Sequence, residues 1–359
     1  MTPPPTGTAP DDDVVLVISD LHVDYGAGQN ALHAVDGVSF SLRRGEVFGI
    51  AGESGSGKST LAYGMTRLLR PPGLITDGVV SYHPRHATPV DILAMSDEEL
   101  RQFRWSEVAI VFQNAMSALN PVLTLQTQVC DVLKAHRPQM SRAERLARMG
   151  ELLSIVGISA DRSRSFPHEL SGGMRQRAVI AIALALEPEI VVMDEPTTAL
   201  DVVLQQQILA EMMKLRDRLG FSIIFITHDL SLLLEIADTI AVMYAGRVVE
   251  IAPAARLGDE PRHPYSQGLL QSFPLLSGPR QVLTGIPGSP PNLRAVPSGC
   301  PFNPRCSHAF GDCRVIRPVL GTIDSAGERP GHKVACHLYG GSRAASADAT
   351  SAAEVSRPG

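Results

Sequence analysis

The stretch Gly52-Glu53-Ser54-Gly55-Ser56-Gly57-Lys58-Ser59 decides the fold, because it fits the phosphate-loop pattern G-x-x-x-x-G-K-[ST]. Its glycines let backbone N–H groups turn inward around phosphate oxygens. Lys58 can reach the β- and γ-phosphates of a nucleotide, and the Ser59 hydroxyl can bind Mg²⁺. A glycine turn with a solvated lysine is the alternative. The expected phosphate-binding residues are Gly52, Ser54, Gly55, Ser56, Gly57, Lys58, Ser59 and Thr60.

The neighbouring sequence supplies the context that a phosphate loop requires. Residues 46–51 are predicted to form a strand, and residues 59–69 a helix that ends before Pro71. The loop therefore lies at the amino end of a helix, where free N–H groups and the helix dipole favour an anion. This context favours a phosphate loop over a simple glycine turn.

Two carboxylates follow a second apolar run, the sequence Ile-Val-Val-Met at residues 190–193. An aspartate at the carboxyl end of a buried strand can lie beside Mg²⁺, which is the expected role of Asp194. The adjacent Glu195 can polarise an attacking water. Taken alone, an exposed acidic loop at a strand end is an equal alternative. Together with the phosphate loop, the pair predicts a centre that hydrolyses a nucleotide.

Strand and helix patterns alternate along the first 260 residues. The runs at 190–193 and 222–226 are rich in β-branched residues, as expected for strands that are covered on both faces. Alternating strands and helices predict an α/β fold with a mostly parallel sheet. The predicted strands are 14–19, 38–42, 46–51, 108–112, 190–193 and 222–226, and the predicted helices are 59–69, 141–156, 178–186 and 203–219.

Composition excludes several classes of protein. The 359 residues are 44% hydrophobic and 19% charged, with a net charge of −5, so the chain can build a sizeable core. The mild, evenly spread charge argues against a nucleic-acid-binding surface. The longest apolar run, residues 178–186, is too short to span a bilayer. The first residues lack the basic and apolar regions of a secretory signal, so we expect a cytosolic protein.

A second glycine motif, Leu170-Ser171-Gly172-Gly173-Met174-Arg175-Gln176, precedes the predicted helix 178–186. Ser171 can cap that helix, while Gly172 and Gly173 let backbone amides approach an anion. A flexible turn with a helix cap is the simpler interpretation. The motif resembles the LSGGQ-type signature of the ABC-transporter ATPase family, with Met174 at the fifth place.

Other motifs of that family follow in order over residues 12–258. Tyr25 lies 27 residues before Gly52, where the family stacks an aromatic ring on adenine. Gln113 matches the glutamine loop, which senses Mg²⁺ and touches the membrane subunits. A packed core tyrosine is the alternative for Tyr25. The order of these motifs around two phosphate motifs favours the functional interpretation.

Two further motifs of the family lie after the acidic pair. Asp201, in Ala199-Leu200-Asp201, matches the D-loop, and His228 matches the switch histidine at the γ-phosphate. A structural histidine is the alternative for His228. The resemblance implies a P-loop ABC-type domain with an antiparallel β subdomain and a helical subdomain at about 97–170. It also implies that Glu195 acts as base or water-orienting residue.

In this family two ATPase subunits face each other head to tail. The phosphate loop of one subunit and the signature of the other enclose each ATP. The resemblance therefore implies ATP and Mg²⁺ as ligands, with Ser59, Gln113 and Asp194 near the metal. The segment 97–165, including residues 113–129, is the expected docking surface for membrane subunits, with ordinary helical packing as the alternative.

The tail differs from the body, since 14 of the 27 prolines follow residue 250. Four cysteines, Cys300, Cys306, Cys313 and Cys336, have the spacing C-x₅-C-x₆-C-x₂₂-C. Residues 259–338 resemble the C-terminal extension of ATPases from oligopeptide and dipeptide importers. We expect residues 1–11 and 339–359 to be disordered ends that flank a 12–258 ATPase domain and this extension.

Four cysteines can hold a [4Fe–4S] cluster or a structural Zn²⁺. Zinc sites usually pair cysteines at C-x₂₋₄-C, which neither close spacing fits. The resemblance implies the iron–sulfur cluster, whereas unliganded or disulfide-bonded thiols are the third alternative. His332 and His337 are alternative ligands, and Cys130 stands apart as a small buried apolar residue.

The resemblance predicts the ATP-hydrolysing subunit of a peptide importer at the cytoplasmic face of the inner membrane. Expected partners are two membrane permeases, a second and different ATPase, and an extracytoplasmic solute-binding protein, without nucleic acid. The first alternative is an importer of the same subfamily for nickel or another small solute. The second is a soluble ABC ATPase of translation or DNA repair, which the single cassette and the tail oppose.

Overall fold

The computed structural model describes residues 13–26, 28, 31–113, 118–196, 201–272, 285–323 and 331–339. The predicted disordered ends lie outside these residues, except for Tyr339 at the end of a short 3₁₀ turn. No helix within the described ranges combines the length and apolar character needed to cross a membrane.

The main sheet contains eight strands among the described residues. Its order is β11-β12-β10-β9-β3-β8-β7-β6. The strands from β9 to β6 pair in parallel, whereas β10, β12 and β11 are added by successive antiparallel pairings. The strands are β3 Val47–Ala51, β6 Val108–Val111, β7 Ile190–Asp194, β8 Ser222–Thr227, β9 Thr239–Tyr244, β10 Arg247–Pro253, β11 Gly321–Thr322 and β12 Lys333–Val334. Strands β3, β7 and β8 are buried along their whole length, as their continuous apolar sequences predict.

A second, antiparallel sheet has the order β2-β1-β4-β5. Its side chains form a shared core with one face of the main sheet, where the ring of Phe40 stacks on Phe48 at 4.5 Å between centroids. This sheet agrees with the expected antiparallel β subdomain. The strands are β1 Val14–Tyr25, β2 Leu32–Arg43, β4 Gly73–Tyr82 and β5 Val90–Asp91.

Helices follow the strands in the order that the sequence predicts, so the α/β fold class is confirmed. Ser141 caps α4 and Glu144 bonds back to the Ser141 N–H, a capping box that fixes the start of this helix. The helices are α1 Lys58–Met65, α2 Asp97–Ser106, α3 Leu125–His136, α4 Arg142–Ile155, α5 Gly172–Ala183, α6 Val202–Leu219, α7 Leu230–Ile236, α8 Ala254–Asp259, α9 Pro264–Gln271 and α10 Gly311–Val315.

The predicted bounds of two helices were wrong. Helix α1 ends at Met65 rather than at residue 69, because Arg67 takes a left-handed conformation with φ +52°. Helix α5 begins at Gly172 and ends at Ala183, whereas the apolar run suggested 178–186. Its glycines therefore belong to the first helical turn rather than to a preceding loop.

The C-terminal extension shares the main sheet and its core. Strand β12 pairs antiparallel with β10, with Val334 opposite Glu250. Tyr265, Leu269 and Phe302 are buried in the same apolar cluster as residues of the central strands. The extension is therefore packed against the body over buried surface, a contact that cysteine spacing alone did not indicate.

A buried carboxylate ties the extension to the sheet. Glu250 on β10 is fully buried and accepts hydrogen bonds from the N–H groups of Arg262 (2.7 Å) and His263 (3.0 Å) and from Nε2 of His332 (2.7 Å). Burial raises the pKa of Glu250, but these hydrogen bonds outweigh burial and lower the pKa overall. The charge thus stays ionised inside the protein, where losing one partner would be costly.

His263 also makes stability depend on pH. Burial lowers the pKa of His263 from 6.5 to about 4, and its neutral Nδ1 accepts a hydrogen bond from the Tyr265 N–H at 3.0 Å. The unfolded chain binds a proton between these two pKa values and the folded chain does not. The contribution of His263 to stability is therefore complete above pH 6.5 and is lost as the pH falls towards 4.

We expect the His263→Asn variant to lose this pH dependence, because asparagine keeps a cap acceptor and does not titrate. Between pH 7.5 and pH 5, the free energy of unfolding should fall by about 2 kcal/mol more in the parent than in the variant. Chemical denaturation at a series of pH values measures both slopes. If the free energy of unfolding depends on pH equally in the parent and the variant, His263 is not buried in its neutral form.

Candidate functional site

The phosphate loop lies between β3 and α1, as the sequence predicts. Gly57 forms the N-cap of α1 with φ +101°, and a Cβ atom there would lie 2.2 Å from the Ala34 carbonyl oxygen. Only glycine avoids both the strained backbone and this overlap. The position therefore explains why the loop requires glycine immediately before Lys58.

Lys58 is bound by its own loop. Its ammonium group donates hydrogen bonds to the carbonyl oxygens of Gly52 (2.7 Å) and Glu53 (2.9 Å). Burial lowers the pKa of Lys58, while the carboxylates of Glu195, Asp194 and Glu53 act in the opposite direction. The lysine is thus a partly desolvated cation placed at the mouth of an anion-binding loop.

Ser59 and Asp194 form a candidate site for Mg²⁺. The Ser59 hydroxyl donates a hydrogen bond to Oδ1 of Asp194 at 2.9 Å, although the two residues are 135 positions apart. Burial raises the pKa of Asp194, while hydrogen bonds from Ser59 and Tyr63 act in the opposite direction, so a bound cation would stabilise the ionised form. A hydroxyl and a carboxylate are oxygen ligands of the kind that Mg²⁺ prefers.

Glu195 contacts two of the other predicted site residues. Its Oε2 accepts a hydrogen bond from Nε2 of Gln113 at 2.8 Å, and its Oε1 lies 3.3 Å from Nδ1 of His228. Glu195 has φ +45°, an unusual conformation for a residue other than glycine. Gln113 and His228 come from the ends of two different strands, β6 and β8. The sheet therefore gathers three polar side chains that are far apart in sequence.

These side chains line an open cavity of about 600 Å³ next to the phosphate loop. Residues of the C-terminal extension also line this cavity, a contact that the sequence did not predict. These extension residues are Leu269, Ser272, Ile286 and Pro290, and the loop contributes Glu53 and Ser54. The Pro-rich composition near residue 290 gave no sign of this position.

Tyr25 lies at the end of β1, and its hydroxyl is 3.3 Å from the hydroxyl of Thr60 on α1. This contact places the ring near the first turn after the phosphate loop. The stacking of Tyr25 on adenine stays a prediction.

Residues 171–173, which match the signature motif, lie at the start of α5. Ser171 caps α5 by accepting a hydrogen bond from the Met174 N–H at 3.3 Å, as predicted. A Cβ atom at Gly173 would lie 2.7 Å from Cδ1 of Leu204, so this glycine permits close packing of α5 against α6. None of residues 171–173 is among the residues that line the cavity beside Glu195.

Asp201 caps α6 by accepting a hydrogen bond from the Leu204 N–H at 2.9 Å. The other predicted D-loop residues, Ala199 and Leu200, lie outside the described residues. The structure thus gives Asp201 a helix-capping role, and its predicted contact with nucleotide stays a prediction.

The four clustered cysteines surround one small cavity, whose lining includes Cys300, Cys306, Cys313 and Cys336. Burial raises the pKa of Cys300 and of Cys336 to about 11, so thiolates at these positions would need a cation. Their chemistry fits a thiolate-bound metal centre. Across the described ranges, however, no three His, Cys, Asp or Glu side chains are arranged to hold a metal ion. The expected metal site is therefore not formed in this structure.

The remaining residues proposed as ligands have other contacts. Nε2 of His332 bonds Glu250, and Nε2 of His337 lies 2.9 Å from the Ile316 carbonyl oxygen.

Cys130, which was expected to be a buried apolar residue, lies on α3 away from the cysteine cluster and is only partly buried.

Comparisons with known proteins agree with these observations. The sequence profile of ABC transporters matches residues 35–198, and the profile of the oligopeptide/dipeptide transporter C-terminal region matches residues 249–313. A structure of the cassette MJ0796, in a dimeric post-hydrolysis state bound to ADP and Pi, is 29% identical with a TM-score of 0.58. It covers 67% of this chain and 98% of its own.

Curated relatives match most of the chain. A probable peptide ABC transporter ATP-binding protein of Sinorhizobium fredii is 41% identical and covers 91% of this chain and 96% of its own length. The oligopeptide transport ATP-binding protein OppD of Escherichia coli is 41% identical, with shares of 86% and 90%. The chain therefore belongs to the ATP-binding proteins of ABC transporters, in the group that carries the oligopeptide/dipeptide transporter C-terminal region.

Proposed function

We propose that this protein is the ATP-hydrolysing subunit that powers a peptide importer. The observation that carries the proposal is the meeting of Ser59, Asp194, Glu195 and His228 around one phosphate loop. Peptide cargo is supported by the relatives, which are named as peptide, dipeptide or oligopeptide transport ATP-binding proteins.

The loop residues would bind the phosphates of ATP. Backbone N–H groups of the loop and of the first turn of α1 would surround the phosphate oxygens, and Lys58 would exchange its carbonyl contacts for the β- and γ-phosphates. Bound Mg²⁺, held by Ser59 and Asp194 with Gln113 nearby, would neutralise charge that develops on the phosphates. Tyr25 would stack on the adenine ring.

Glu195 would orient the attacking water and accept its proton. Its hydrogen bond from Gln113 and its contact with His228 fix the carboxylate at the cavity that faces the loop. His228 would steady the γ-phosphate as charge moves to its oxygens. Phosphoryl transfer depends mainly on such positioning and charge neutralisation.

A second ATPase subunit would complete the site. Ser171, Gly172 and Gly173 do not line the cavity of their own chain, and the amino end of α5 is suited to an anion. In a head-to-tail dimer they would close over ATP bound to the partner, and Asp201 would lie at the same interface. The dimeric state of the related MJ0796 cassette supports this arrangement.

The other partners follow from the proposed transport function. Two membrane permeases would dock on the segment 97–165 near Gln113, on the cytoplasmic side of the membrane. An extracytoplasmic solute-binding protein would deliver cargo. The test is affinity purification of this protein from its native membrane, which identifies its partners, followed by identification of the ligand that the co-purified solute-binding protein carries.

Co-purified permeases and a peptide ligand support the proposal. Nickel or another solute as the ligand, or ribosomes or DNA as the co-purified partners, would overturn it.

We expect the Glu195→Gln variant to bind ATP as the parent does and to hydrolyse it at least about 100-fold more slowly. The amide keeps the shape of the side chain but cannot accept the proton. Nucleotide binding and phosphate release measure the two effects. The matched control is Glu211→Gln on α6, an ion-paired carboxylate outside the cavity, which should keep normal turnover. Normal turnover in Glu195→Gln would contradict the role of Glu195.

For the extension we propose that Cys300, Cys306, Cys313 and Cys336 hold a [4Fe–4S] cluster. Their convergence on one cavity supports a ligand shared by the four side chains, and four cysteines are the ligand set of such a cluster. A structural Zn²⁺ is the alternative for the same four thiols.

Protein purified without oxygen should therefore be brown and contain iron and sulfide. The Cys306→Ser variant should lose the colour, because it removes one of the four ligands. The Cys130→Ser variant is the matched control and should keep the colour, since Cys130 lies on α3 outside this cluster. A colourless protein with stoichiometric zinc, or with no metal, would refute the cluster.

A further inference from the structure

The extension reaches the phosphate loop through a partly buried ion pair. Nη1 of Arg305 lies 2.6 Å from Oε2 of Glu53, and Nη2 lies 3.0 Å from Oε1. Only 5% of the Arg305 side chain is exposed to solvent. A two-point contact of this kind fixes both distance and orientation, which a lysine could not do.

Arg305 is itself held firmly in the extension. Its Nε donates a hydrogen bond to the Pro287 carbonyl at 2.8 Å, and its guanidinium lies near the rings of Tyr244 and Phe302. The residue ends a short 3₁₀ turn, Asn303–Arg305, immediately before Cys306. The guanidinium is therefore a fixed group rather than a free surface charge.

Glu53 is bound at each of its polar groups. Its carboxylate is held by Arg305, its N–H donates to the Tyr265 hydroxyl at 2.8 Å, and its carbonyl accepts from Lys58 at 2.9 Å. Two of these three partners belong to the extension, and the third is the lysine of the phosphate loop. A continuous chain of polar contacts thus connects Arg305 to Lys58 through one residue.

We propose that Arg305 is a positioning residue for the phosphate loop, acting through Glu53. The pair would hold the loop in its phosphate-binding shape before nucleotide arrives, so that less of the binding free energy is spent on ordering it. This inference rests on the proposed ATP-binding function of the same site. It gives the extension a part in nucleotide affinity.

The test compares full-length variants for binding of a fluorescent ATP analogue with Mg²⁺ and for ATP hydrolysis. Arg305→Ala should raise the Kd by about tenfold, because the binding-competent loop becomes a minor population. The KM should rise in the same proportion, while kcat at saturating ATP stays within about twofold, because bound nucleotide restores the loop. Arg305→Lys should recover part of the affinity.

A double-mutant cycle separates positioning from general stability. Glu53→Gln should raise the Kd as Arg305→Ala does, and adding Arg305→Ala to it should have little further effect. Additive effects, or unchanged affinity in both single variants, would overturn the proposal. If Arg305→Ala does not fold, Arg305→Lys decides, because it keeps the charge and removes the two-point contact; a Kd equal to that of the parent would then overturn the proposal.

The matched control is Arg317→Ala. Arg317 also joins the extension to the body, with Nη1 3.1 Å from Oδ2 of Asp36, but that pair does not touch the phosphate loop. Its loss should leave the Kd within about twofold of the parent. An equal loss of affinity in this variant would overturn the specific role of Arg305. A parent protein that binds no ATP would instead refute the proposed function.

Discussion

The structure depends on the way parallel strands end at one edge of a sheet. Strands β3, β7 and β8 lie side by side, and their carboxyl ends lead to the phosphate loop, to Asp194 with Glu195, and to His228. Parallel strands bring together residues that are far apart in sequence, since each crossover returns the chain to the same edge. Burial on both faces then holds these strand ends in place.

Buried charges impose the second constraint, and the fold compensates each one differently. Lys58 is surrounded by carbonyl oxygens and three carboxylates, while Glu250 accepts hydrogen bonds from backbone and His332. Asp194 differs, because burial raises its pKa in spite of hydrogen bonds from Ser59 and Tyr63. A buried carboxylate whose partners do not offset its loss of hydration is costly, and such groups gather where a ligand is bound. This contrast separates a structural carboxylate from a candidate metal ligand.

The extension is joined to the cassette by the same two kinds of interaction. It adds β12 to the sheet beside β10 and buries Tyr265 and Phe302 in the core. It also supplies partners for two charges of the body, namely His332 for Glu250 and Arg305 for Glu53. A segment that appears in the sequence as a proline- and cysteine-rich tail therefore lines the candidate functional site.

The sequence alone determined the class of fold, the phosphate loop and the acidic pair, because these depend on local patterns. Gly57, Lys58 and Ser59 must be neighbours to turn the backbone and begin a helix, and continuous apolar runs such as 190–193 must be buried. Only the tertiary structure decided which distant side chains meet. The pairs Ser59–Asp194, Gln113–Glu195 and Glu53–Arg305 span 135, 82 and 252 positions, distances over which no local pattern constrains the chain. Strand order and core packing determine such contacts, since they alone decide which loops share one edge of the sheet.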